Sequence, residues 1–315
     1  MTLGKKKTET LLLNKSKRFK IKNWQLYIFM IIPTLLVLLF NYYPMIGIQL
    51  AFKKFDFNLG IWGSPWIGME NFEKFIGSYM FPRVLKNTLL LSFYSIAVGF
   101  PIPIIFALMM HSMTNLRYKR IVQTVTYLPH FISTVVVVGI LMQILNPTMG
   151  AVANICRVFG IEKIPDVLSV AEAFPHLYVW SGIWQSMGWN SIIYVAALSS
   201  VDPSLYEAAS VDGASRFRQL ITIDLPSILP TAILLLIMNA GSVMNVGFEK
   251  TFLMQNDLNL TTSEVISTYL YKVGMTGRTD FGYSTAIGLF NSIVNFILIV
   301  TVNKISTRLS DQGLW

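Results

Sequence analysis

Charge is what this chain has least of. Of its 315 residues only 13% are Asp, Glu, Lys or Arg, while 53% are hydrophobic. A soluble domain carries about 25% charged residues. The deficit excludes a chain wetted along most of its length, and the mean hydropathy of +0.55 agrees. Cysteine is nearly missing too. Cys156 is the single thiol, so no intramolecular disulfide forms, and a tolerated thiol is expected rather than a reactive one. No G-x-x-x-x-G-K-[ST] phosphate loop occurs, which excludes ATP hydrolysis by this chain, and no H-E-x-x-H zinc motif occurs. Internal repeats and low-complexity segments are also absent.

Long apolar runs are present instead. A membrane span needs about 20 mostly apolar residues. Six runs qualify, at 25–46, 87–112, 124–146, 174–198, 227–248 and 282–303, and none contains Lys, Arg, Asp or Glu. The expected fold is therefore an all-α integral membrane protein with six transmembrane helices. Pro101 and Pro103 predict a kink in the second span. The basic N-terminus and the apolar run behind it have the order of a signal peptide. The uncharged stretch 24–52 is too long for that, and five more such runs follow.

Lysine and arginine set the orientation. With the N-terminus inside, segments 1–24, 113–123, 199–226 and 304–315 face the cytoplasm, with 15 Lys and Arg against 6 acids. The outer segments 47–86, 147–173 and 249–281 hold 10 of each, so the whole +9 net charge lies inside. The reading is N-in and C-in: a basic cytoplasmic segment 1–24, a transmembrane domain 25–303 and a cytoplasmic tail 304–315. The cluster "KSKRFKIK" reads as an anchor beside anionic membrane lipid. Nucleic-acid binding is not expected, since no folded basic domain accompanies it.

Between the fourth and fifth spans lies "YEAASVDGASRFRQLITIDLP", residues 206–226, too charged for lipid. Asp202 is placed to cap a helix beginning at Pro203. Gly213 is placed for a turn with positive φ, and Ser215 to cap a second short helix that Pro226 ends. Ala208, Ala209 and Ala214 leave room at the bend for another surface. Phe217, Leu220 and Ile221 are placed to hold the second helix to the span ends. A plain amphipathic connector on the membrane surface has much the same composition.

Glu207-Ala208-Ala209, then Asp212-Gly213-Ala214, then Leu225-Pro226 resembles the EAA motif. That motif is the coupling segment of the membrane subunits of bacterial binding-protein-dependent ABC importers. The six-span layout, "YLPHFIST" at 127–134 and the terminal "DQGLW" are similar to oligosaccharide permeases of the lipoprotein- and polysaccharide-uptake type. This resemblance covers nearly all of the chain after about Lys22. It implies a coupling helix pair (202–226) that docks in a cleft of a cytoplasmic ATPase, through Glu207, Ala208, Ala209, Asp212, Gly213, Ala214, Arg216, Arg218 and Pro226. It also implies a second, related permease, two ATPase subunits that bind ATP and Mg, an extracellular solute-binding lipoprotein and a carbohydrate substrate. No cofactor or metal is expected in this chain, and the bacterial cell membrane is its expected location.

The residues fit that division of labour. Proton or sodium coupling usually leaves ionisable groups within spans, and here only histidines occur: His130 and His176 near predicted ends, and His111 at the end of the second run. The spans do carry Trp184, Gln185, Trp189 and Asn190 in the fourth, Asn239 and Asn245 in the fifth, and Asn291 and Asn295 in the sixth. Each amide has two readings: glue between helices, or lining of a substrate path. Rings and neutral amides suit a sugar, whose C–H faces pack on aromatics while its hydroxyls bond amides. An uncharged path disfavours a strongly ionic substrate. Two alternatives stay open: an importer permease for peptides or amino acids, and a stand-alone secondary transporter.

Overall fold

The computed structural model describes residues 24–161, 163–276 and 279–310, the side chains of Leu26, Leu309 and Ser310 apart. The basic cluster before the first span and the terminal "DQGLW" lie outside the described residues. Among those residues the chain is all helical, with a single isolated β-bridge between Lys53 and Trp66. It divides into two compact units, 1–49 and 50–315.

The described part of the first unit, from Trp24 on, is apolar helix. α1 (Trp24–Val37) passes through a π turn at Leu38–Tyr42 into a 3-10 stretch at Tyr43–Phe52. Taken as one helix, Tyr27–Phe52 is long and apolar enough to cross a membrane.

The second unit begins with a turn closed by the Lys53–Trp66 bridge and α2 (Glu70–Ile76), followed by α3 (Met80–Gly99) and α4 (Pro101–Ser112). The last two form one span of 33 residues. The ladder is interrupted at Phe100, because Pro101 and Pro103 offer no N–H to the turn before them.

α5 (Leu116–Tyr127) starts on Asn115, whose Oδ1 accepts from the N–H groups of Arg117 and Tyr118 at 3.0 and 3.1 Å. The span expected at 124–146 forms as a broken pair of helices. The helix through Phe131 and α6 (Thr134–Ile144) meet at a bend of 100°. Pro129 disrupts the ladder, and Ser133 restarts it by accepting from the Val136 N–H. "YLPHFIST" is therefore an elbow.

α7 (Phe174–Ser199) is 26 residues long but more polar than the other long helices. α8 (Pro203–Val211) and α9 (Arg216–Gln219) follow, and a π turn at Leu220–Asp224 leads into α10 (Leu225–Ala240). Pro226 does not end the second short helix as expected, since helix runs on from Arg216 to Ala240. Proline is tolerated in the first turn of α10, and the π turn just before it loosens the ladder that its ring would otherwise strain. The fifth span also ends earlier than expected. At Gly241 the chain turns, and 241–247 is non-helical, so Asn245 is not on a helix.

Beyond the turn come α11 (Phe248–Met254), α12 (Ile266–Met275) and α13 (Phe281–Ser310). Four described helices are long and apolar enough to cross a membrane, five if the bent pair counts as one.

Three buried clusters tie the second unit together. Ala107, Leu108, Tyr194, Leu198, Ile228 and Ala232 join α4, α7 and α10 at one end. Leu91, Val138, Phe174, Val179, Val246 and Met254 join α3, α6, α7 and α11 at the other. Phe75, Met80, Ile266, Tyr283 and Ile287 pin α2 and α3 against α12 and α13. α7 runs through the middle, against α3, α4, α5 and α10, and so positions both a charged hook at one of its ends and a polar cavity along its length.

Candidate functional site

The segment after α7 folds into the hook. Asp202 Oδ1 accepts the Ser204 N–H at 2.9 Å and starts α8 on Pro203. Gly213 turns the chain with φ 75°, and its Ala214 neighbour donates its N–H to the Ala209 carbonyl at 2.9 Å. Ser215 then caps α9 through the Arg218 N–H. A Cβ at Gly213 would meet nothing within 4 Å. Glycine is needed there for the backbone angle alone, which costs other residues roughly 1–2 kcal/mol.

The hook presents an unsatisfied surface. Glu207, Asp212, Arg216 and Arg218 are exposed, and among the described residues none of their side chains has a hydrogen-bond or ion-pair partner. Val211 is 88% exposed and Phe217 71% exposed, one on each side of the Gly213 turn. Phe217 and Ile221 do not hold the hook to the spans as expected. Leu220 alone of the three packs on a buried cluster. Two apolar knobs flanked by unpaired charges of both signs thus stand exposed on either side of the turn.

The anchor of the hook is polar, and the sequence did not disclose it. The Tyr206 hydroxyl donates to Asp224 Oδ1, and His111 Nε2 at the end of α4 lies 3.3 Å from that hydroxyl and 3.9 Å from the carboxylate. Asp224 is only 4% exposed. Burial, then the hydrogen bond and charge of Asp224, push the Tyr206 phenol well above its ordinary range. It therefore stays a donor at any physiological pH. The three residues join α8, the π turn and α4. In the sequence they lie 95 and 18 positions apart, and only the fold brings them together.

The second feature is a cavity of about 540 Å³ between α3, α7 and the 239–250 stretch. Gln185, Asn190, Asn239 and Asn245 are in its wall, together with Ser92 and Tyr178. Trp189 lines an adjoining cavity of about 260 Å³ that shares Asn190 and Asn239. Its indole is stacked flat on His130 at 4.5 Å and meets Phe131 edge-on at 5.5 Å.

Three expected path residues lie elsewhere. Trp184 lines neither cavity. Asn291 donates to Asn245 Oδ1 at 2.9 Å, and Asn295 Oδ1 accepts the Met244 N–H at 2.9 Å. These two hold the non-helical 241–247 stretch, whose backbone groups have lost their helical partners. Gln185 does both jobs, since its Nε2 also donates to the Ile132 carbonyl at the elbow, at 2.8 Å.

The wall is not uncharged, contrary to the sequence expectation. Glu249 and Lys250, counted as outer-loop residues, are folded back into it on α11. Nothing in their local sequence marks this, because the turn at 241–247 that carries them inward depends on Asn291 and Asn295.

Apolar helices around a polar cavity, with a charged hook beyond them, make up the membrane component of a transporter. The description "Binding-protein-dependent transport system inner membrane component" matches residues 99–311, and the chain belongs to that family. Among its relatives is Protein LplB of Bacillus subtilis, 40% identical over 92% of this chain and 91% of that protein. Another from the same organism is the polygalacturonan/rhamnogalacturonan transport system permease protein YteP, 39% identical over 96% of this chain and 94% of its own length. A bacterial ABC transporter involved in the import of the acidic polysaccharide alginate has a crystal structure of which one chain superposes with TM-score 0.84 and 39% identity. The match covers 92% of this chain and 97% of that one. The same transporter type has been crystallised in complex with an alginate pentasaccharide-bound periplasmic protein, and that chain is 38% identical with TM-score 0.85.

Proposed function

We propose that this chain is the permease subunit of an ATP-driven importer for an oligosaccharide. The observation that carries this is the hook 202–226. It is a capped, glycine-hinged helix pair with its charges unpaired, tied by a buried polar contact to the spans around the cavity. Such a part has a use only if something outside the chain pushes on it. An ABC ATPase, with its ATP and Mg, is the engine that the chain itself lacks. The relatives named for polygalacturonan/rhamnogalacturonan and alginate support a carbohydrate cargo, and the pentasaccharide-loaded periplasmic protein supports delivery by a solute-binding protein.

In this reading the chain spans a bacterial cell membrane six times, with both termini and the hook in the cytoplasm. α7, less apolar than the other long helices because it walls the cavity, is one of the six. A second permease completes the path, and two ATPases sit below. ATP binding draws the ATPases together, the hook transmits the movement through Tyr206–Asp224 to α4 and α10, and the cavity changes the side to which it opens.

The test is uptake by the complete complex in vesicles. Labelled oligosaccharide should accumulate only with internal ATP and loaded binding protein. Accumulation in ATP-free vesicles would instead establish a stand-alone carrier, and uptake of peptides alone would replace the sugar.

A further inference from the structure

Lys250 is an unusual residue to find in the wall of the cavity. It is 9% exposed, and its ammonium donates to the Tyr178 carbonyl at 2.8 Å and sits 4.8 Å from the centre of the Tyr178 ring. A lysine has three N–H donors. Among the described residues the Tyr178 carbonyl is its hydrogen-bond acceptor, and no carboxylate comes within 4.0 Å. Glu249 stands next to it in the chain and in the cavity wall, but it is exposed and out of ion-pair reach.

A buried cation without a counter-ion is costly, and packing alone would be served better by methionine. The space around it is also kept open. A Cβ added at Gly182, on α7, would lie 3.2 Å from the Lys250 Nζ. Glycine there leaves the ammonium room beside the cavity, and Ser92, Gln185 and Asn245 supply neutral hydrogen-bonding groups in the same wall.

We propose that Lys250 is a specificity-determining residue, the cavity's receptor for a carboxylate, and that the oligosaccharide carried is acidic, built with uronate units. This rests on the proposed carbohydrate cargo and narrows it. A substrate carboxylate takes the place of the missing counter-ion at the free donors of the ammonium, the amides bind hydroxyls, and one sugar unit is held by its charge as well as its shape. Burial lowers the Lys250 pKa from its ordinary 10.5 to about 8. The group therefore remains mainly protonated at neutral pH, and an arriving carboxylate relieves the cost of its burial.

The experiment uses the whole complex in lipid nanodiscs. Radiolabelled tri-galacturonate and its carboxyl-reduced, neutral trimer are bound by equilibrium dialysis to wild type, Lys250→Met and Lys250→Gln. The glutamine variant keeps a donor for the Tyr178 carbonyl if the methionine variant fails to assemble. Wild type should prefer the acidic trimer, and either substitution should lower the acidic-to-neutral affinity ratio about tenfold, the loss of one charge-assisted hydrogen bond. An unchanged ratio, whether both affinities fall together or neither moves, overturns the proposal and assigns Lys250 to packing while leaving the carbohydrate reading intact. Wild type that binds only the neutral trimer does the same. Wild type that binds neither removes the carbohydrate reading and this inference with it.

Discussion

Tyr206 shows how much can hang on one hydroxyl. It ties α8 to Asp224, which is buried with His111 as its other polar neighbour. Tyr206→Phe keeps the ring and removes the donor, leaving a buried carboxylate underserved at a cost of roughly 1–3 kcal/mol. The expected result is a lower melting temperature of the detergent-solubilised complex and weaker stimulation of ATP turnover, with surface expression retained. A variant that melts and turns over as wild type would show that His111 alone satisfies the carboxylate. At this scale the sequence was legible where the chemistry is local. The Asp202 and Ser215 caps and the positive φ of Gly213 all follow from neighbours a few residues away. Tyr206–His111 and Lys250–Tyr178 span 95 and 72 positions and left no local trace.

Elements were legible in type more than in shape. Apolar runs marked the helices, because burial of backbone polar groups in lipid leaves few other choices. They did not mark the breaks. The elbow at Pro129 and the early end of α10 at Ala240 occur inside apolar runs, where composition barely changes. What permits a break is a distant partner for the freed backbone: Gln185 for the Ile132 carbonyl, Asn295 for the Met244 N–H. The amides read from sequence as either glue or lining divide along that line. Asn295→Leu therefore strips a buried N–H of its acceptor and should cost roughly 1–3 kcal/mol. Thermal unfolding of the purified complex should fall by several degrees. No shift would mean that the 241–247 turn is held by its apolar contacts, with Met244 and Val246 already buried.

At the scale of the whole molecule, everything depends on which side of the membrane the hook occupies. The proposed arrangement has it inside, on the excess of lysine and arginine in the segments assigned to its side. Ser215 and Asn256 lie on opposite sides in this arrangement. With Cys156 replaced, a cysteine at Ser215 should react with an impermeant maleimide only in inverted vesicles, and one at Asn256 only in intact cells. The reverse pattern would remove the hook from any source of ATP.

The central claim is that the hook transmits the work of a separate ATPase, and ATP turnover in reconstituted vesicles measures it. Glu207→Ala and Gly213→Val leave the spans and the outer face untouched, so assembly in the membrane and recruitment of the binding protein should persist. Valine at φ 75° is strained by at least the roughly 1–2 kcal/mol of a non-glycine residue, and more because it is β-branched. In wild type, loaded binding protein should raise ATP turnover. In both variants that rise, and sugar uptake with it, should be lost. If Glu207→Ala and Gly213→Val complexes keep wild-type stimulated turnover and uptake, the segment 202–226 is a surface connector and transmits no work to the spans.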